Sequence, residues 1–203
     1  MNELPAQTFT VNIQKLGSGM GSIRMREFII RKPRIRKFRI ISLSLLFLIT
    51  GFQAQGAEEG NSAPAVSLPQ LQEDTVSVSL ADHAGKIIYL DFWASWCPPC
   101  LVSMPIMNDM RNRLQADGVP FEVIAINVDS DPEDGIDFLL DSPVDFVVLS
   151  DPDGNSPAAY NVRGMPSSFL INQAGNIVMI HEGFKRSDGE MIENEIMALV
   201  DQQ

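Results

Sequence analysis

The residues best equipped for chemistry in this 203-residue chain are its two cysteines, set two residues apart in Trp96-Cys97-Pro98-Pro99-Cys100. An apolar run, Ile87 to Trp93, precedes them and a helical pattern follows from about Pro98, so the pair lies at a strand-to-helix junction. A thiol there faces unpaired backbone N–H groups and the positive end of the helix dipole, which stabilise a thiolate at Cys97. Pro98 and Pro99 suit a first helical turn, whose amide hydrogens lack partners anyway, and they pin the two sulfurs close together. A structural zinc site needs four ligands, and only His83 and His181 could join the cysteines. A purely structural disulfide closing so small a loop would constrain the unfolded chain little. Redox chemistry is the main reading, and a Cu(I)-binding metallochaperone module using Cys97, Cys100 and a methionine is the alternative.

The elements that must position this pair alternate in type. Thr75 to Leu80 has a period of two, Ile87 to Trp93 and Phe121 to Val128 read as buried strands, and Phe146 to Leu149 as a third. Between them, Pro98 to Ala116 places Leu101, Met104, Met107, Met110 and Leu114 at helical spacing, so these methionines read as core rather than as metal ligands. Asp131 to Asp141 is a shorter helix opened by Asp and Pro, and Ser156 to Tyr160 a helical turn. Ser167 to Ile171 and Ile177 to Ile180 form a hairpin around Asn172-Gln173-Ala174-Gly175-Asn176, and Ser187 to Val200 is a closing amphipathic helix. The expected fold class is α/β, a mixed sheet with helices on both faces. Asp91 interrupts the first apolar strand six residues before Cys97; a carboxyl buried there has a raised pKa and can exchange a proton with Cys100. Trp96 offers an apolar face beside the disulfide, whereas Trp93 reads as core. Asp151-Pro152-Asp153-Gly154-Asn155 approaches a calcium-loop pattern, but its glycine comes too early and no glutamate follows at the twelfth position, so a plain turn is expected.

DFWASWCPPC, Pro105 five residues after the second cysteine, and Val162-Arg163-Gly164-Met165-Pro166 together resemble the thioredoxin superfamily. The stretch from Phe146 to Phe184 is similar more closely to its extracytoplasmic TlpA/ResA group of thiol-disulfide oxidoreductases, and the resemblance covers about Asp74 to the C-terminus. It implies a thioredoxin-like fold with a helix and strand inserted before the cis-proline motif, here Asp131 to Leu149. It implies Cys97 as the exposed nucleophile, Cys100 as the buried resolving thiol, and Pro166 as the cis-proline. A cis Met165-Pro166 bond would leave the Met165 backbone able to pair with an extended substrate; Trp96, Pro98 and Pro99 would complete the substrate-binding surface. Thioredoxin carries an acid at the position of Asp91, where many TlpA/ResA members carry Asn. The resemblance further implies a reductase with no cofactor beyond its redox-active disulfide, acting as a monomer on protein thiols and disulfides and recharged by a membrane thiol-disulfide transporter. Its candidate substrates are apocytochrome c cysteines, copper-site cysteines of respiratory proteins, or stray disulfides.

Charge separates the chain into two objects. Residues 1–56 hold nine Lys/Arg against two Asp/Glu, leaving six against 24 in residues 57–203, an acidic domain that does not suit nucleic acid. Arg31 to Arg39 is strongly basic, Ile40 to Phe52 is an uncharged apolar run, and Ala54-Gln55-Gly56 supplies small residues before Ala57: the plan of a secretory signal. Three outcomes are open, cleavage before Ala57, retention of residues 40–57 as an inner-membrane anchor, or a buried soluble helix, and the first two place the domain outside the cytoplasm, in the periplasm. Residues 1–24 match neither a targeting core nor a fold, and Met25 is a candidate start. The expected organisation is a basic leader over residues 1–56, a Gly/Pro/Ser/Gln-rich linker over 57–73, and the folded domain over 74–203.

Overall fold

The computed structural model describes residues 56–201; the apolar run, and all but the last one or two residues of the basic leader and the anchor region, fall outside the described residues. Among the described residues, no helix is long and apolar enough to cross a membrane.

Two strands make the centre, β3 (Ile87–Trp93) and β4 (Phe121–Asn127), and every residue of both is buried. That is why each reads as a continuous apolar run rather than an alternation. With β1 (Ser67–Pro69), β2 (Ser77–Ser79), β5 (Val147–Ser150), β6 (Ser167–Ile171) and β7 (Ile177–Glu182), they form two sheets. The five-stranded sheet has the order β5-β4-β3-β6-β7, and β1 and β2 pair separately. Strands β3, β4 and β5 are parallel, and β6 pairs antiparallel with both β3 and β7. Helices α1 (Pro98–Ala116), α2 (Pro132–Asp141), α3 (Asn155–Ala159) and α4 (Asp188–Val200) complete the mixed α/β fold, and α2 with β5 is the expected insertion.

The sheet separates two apolar clusters. On one side, Tyr89, Trp93 and Val123 pack with Met104, Met107 and Met110 of α1 and Ile192 and Ile196 of α4. The helical spacing of the methionines therefore describes core packing. On the other side, Leu90, Phe92, Ile124 and Phe169 pack around Tyr160, together with Ala57 and Val66.

Those last two residues overturn the linker reading of 57–73. Ala57, Val66 and Leu71 are all buried. At one edge of the main sheet, Gly60 N–H donates to Ile177 O, Ile177 N–H to Asn61 O, and Ser62 bridges Asn176. At the other edge, Leu71 N–H donates to Val148 O and Gln70 bridges Leu149. Between these points the Tyr160 hydroxyl donates to Pro64 O, so the segment crosses one face of the sheet and satisfies both of its edges. The folded domain therefore begins near Ala57, not at Asp74, and only the short β2 survives of the alternating stretch Thr75 to Leu80.

Candidate active site

The turn from β3 into α1 carries the cysteines. Cys97 and Cys100 form a disulfide, with Cα atoms 5.3 Å apart. Cys97 is the N-cap of α1, with Pro98 and Pro99 opening the helix, and its sulfur accepts from Cys100 N–H at 3.3 Å. That N–H, at the helix start, is shared between the sulfur and the carbonyl oxygen of Cys97, the latter at 3.0 Å. Trp96 is 66% exposed and Trp93 wholly buried, as their sequence contexts predict. Cys97 differs from expectation. Only 3% of its surface is accessible, because in the disulfide it belongs to the same apolar cluster as Trp93, Phe184 and Met165.

Strand register places Asp91 on the sheet face whose apolar cluster contains the disulfide. Ile87, Tyr89 and Trp93 share the cluster that contains both cysteines, so the period of two puts Asp91 on that same face. It pairs with Ala125 of β4 and Ser168 of β6, and the Ser168 hydroxyl donates to its Oδ1 at 2.7 Å. Burial pushes its carboxyl up to about 7, with the Ser168 hydrogen bond pulling the other way. Tyr89, one pleat repeat away, has its phenol raised by burial and then by the Asp91 charge. Ser168 escaped the sequence reading, since it becomes informative only once β6 is registered against β3.

The Met165-Pro166 peptide is cis. Pro166 O accepts from Gly183 N–H at 2.8 Å, tying the proline loop to the end of β7, while Met165 makes no hydrogen bond among the described residues. A cleft of about 300 Å³ opens there, lined in part by Arg163, Met165, Pro166 and Glu182. A concavity of about 290 Å³ at the other end of β3, beside Ile88 and Ile171, contains no thiol. His181, for which the sequence suggested no partner, meets Asp188 at 3.2 Å. The Asp188 carboxyl is held low, chiefly by Lys185 N–H. The Asp151 carboxylate accepts from the Asn155 and Ser156 N–H groups at the start of α3.

One further cluster was not anticipated. Asp129, 1% exposed, accepts from Ser95 N–H, from the Ser95 hydroxyl and from Asn127 Nδ2, so it grips the residue between Ala94 and Trp96. Its only sequence signal is an acid just past a buried strand.

Comparison with known proteins agrees with this geometry. The Redoxin family model matches residues 58–196. Thiol-disulfide oxidoreductase ResA of Bacillus subtilis (strain 168) is 34% identical over 131 residues, covering 64% of this chain and 70% of that protein. The ResA of Bacillus thuringiensis subsp. konkukian (strain 97-27) is 30% identical over 154 residues, covering 72% and 87%. Among solved structures, a putative thiol:disulfide interchange protein DsbE from Chlorobium tepidum is 42% identical with a TM-score of 0.66, covering 71% of this chain and 99% of that one. The chain belongs to the Redoxin family, as a ResA-like thiol-disulfide oxidoreductase of the thioredoxin superfamily.

Proposed function

We propose that the protein is a periplasmic disulfide reductase working through Cys97 and Cys100. The Cys97 thiolate attacks one sulfur of a substrate disulfide, that S–S bond breaks, and the other substrate sulfur leaves as a thiolate. Cys100 then loses its proton to the Asp91 carboxylate and attacks the Cys97 sulfur, releasing the second substrate thiolate. The substrate gains two electrons and the enzyme ends as the disulfide. A carboxyl near 7 suits the proton step, since it accepts and returns a proton near neutral pH. The unpartnered backbone of Met165 supports pairing with an extended substrate segment beside the disulfide.

The observation carrying this reading is the Cys97–Cys100 disulfide capping α1. Pro-Pro between the cysteines supplies no histidine to stabilise a thiolate, which favours a reducing couple, recharged by a membrane thiol-disulfide transporter. Apocytochrome c or copper-site cysteines fit as substrates. Trapping with Cys100→Ser tests the reading: exported proteins should accumulate as mixed disulfides on Cys97. A variant that captures none of them in the periplasm overturns it.

A further inference from the structure

We propose that Asp129 is a positioning residue for the nucleophile, holding the turn that carries Cys97, and that the inserted helix α2 supports it through Asn127. This rests on Cys97 being the attacking thiol. Both carboxylate oxygens of Asp129 accept from Ser95 N–H, at 3.2 and 3.0 Å, and Oδ1 also accepts from the Ser95 hydroxyl at 3.1 Å. Ser95 is fixed between Ala94, whose carbonyl accepts Cys97 N–H at 3.1 Å, and the exposed Trp96. Two residues before the nucleophile, the backbone is therefore pinned from outside its own element. Val128 N–H donates to Trp93 O at 3.0 Å, which continues the β3–β4 pairing past the strand ends and brings the clamp to the turn.

Asp129 is itself held. Asn127 Nδ2 donates to its Oδ2 at 2.7 Å, and its own N–H returns a bond to Asn127 Oδ1 at 3.2 Å. Asn127 is wholly buried, and α2 lies directly over it: a Cβ on Gly135 would stand 2.7 Å from Asn127 Nδ2 and 2.9 Å from Cγ. Backbone torsion does not demand glycine here, because Gly135 is absent from the positive-φ positions. The missing side chain is the space that Asn127 occupies. The line Gly135, Asn127, Asp129, Ser95 thus connects the inserted helix to the catalytic turn. Its function is to keep the sulfur of Cys97 at the start of α1, where the helix N–H groups stabilise the thiolate.

The test uses the reduced protein and iodoacetamide, which reports the Cys97 thiolate without any protein substrate, so its outcome is separate from whether the chain reduces disulfides. Gly135→Ala leaves every charge in place and meets Asn127 first. It should slow alkylation at pH 7 and move the pH midpoint upward, and Ser95→Ala should do the same, each by about fivefold in rate, the scale set by one hydrogen bond. Because both act on one line, the double variant should fall well short of the product of the two effects. Gly189→Ala, which crowds Ile106 elsewhere on α1, is the control for general destabilisation. Multiplicative effects, unchanged midpoints in both single variants, or an equal shift in Gly189→Ala at matched urea stability would overturn the assignment. If Gly135→Ala does not fold, the midpoint of Ser95→Ala decides alone.

Discussion

At the residue scale, Asp91 brings stability and chemistry into opposition. Its carboxyl rises from 3.8 to about 7 on folding, so the native state holds a proton that the unfolded chain has released. Between these values the native state binds more protons, so its contribution to stability falls as pH rises and levels off above about 7. In urea denaturation of the oxidised protein, Asp91→Asn should match wild type near pH 4. It should be more stable at pH 8 by several kcal/mol, with an upper bound of about 4 kcal/mol. A wild-type stability profile parallel to that of the variant would show that Asp91 does not titrate as described. Ser168→Ala removes the hydrogen bond that favours the charged carboxylate, so the carboxyl midpoint followed by infrared spectroscopy should move higher still. A downward movement would contradict the assigned pairing. Asp91 stood out in the sequence because an acid inside an apolar run is conspicuous. Ser168 did not, because a serine at the start of an expected strand looks like any other until strand register sets it opposite the acid.

At the scale of elements, the sequence was most informative where burial is two-sided. Ile87 to Trp93 and Pro98 to Ala116 were legible because a central strand must be apolar throughout and a packed helix must repeat its apolar residues. The segment 57–73 was illegible for a complementary reason. It covers sheet edges with backbone hydrogen bonds, which leave no hydrophobic pattern, and only Ala57, Val66 and Leu71 enter the core. A chain beginning at Asp74 should consequently lose about 3 kcal/mol or more in urea denaturation relative to one beginning at Ala57, from the buried Val and Leu side chains alone. Equal midpoints would restore the linker reading. The burial of Cys97 was hidden likewise, since the apolar cluster it joins includes residues remote in sequence, such as Phe184.

At the scale of the molecule, the −11 charge is the sum of +7 over residues 1–56 and −18 over residues 57–203. The described domain joins its two cysteines in one disulfide and packs an apolar cluster on each face of its main sheet. The central claim is that Cys97 attacks and Cys100 resolves. It is tested most directly by rapid mixing of reduced protein with a disulfide-bonded peptide, followed by acid quench and mass analysis. Wild type should convert the peptide to dithiol with only a transient adduct. Cys100→Ser should stop at a one-to-one adduct on Cys97, and Cys97→Ser should form none at a comparable rate. An adduct that forms on Cys100 first, or full turnover by Cys97→Ser, would contradict the account.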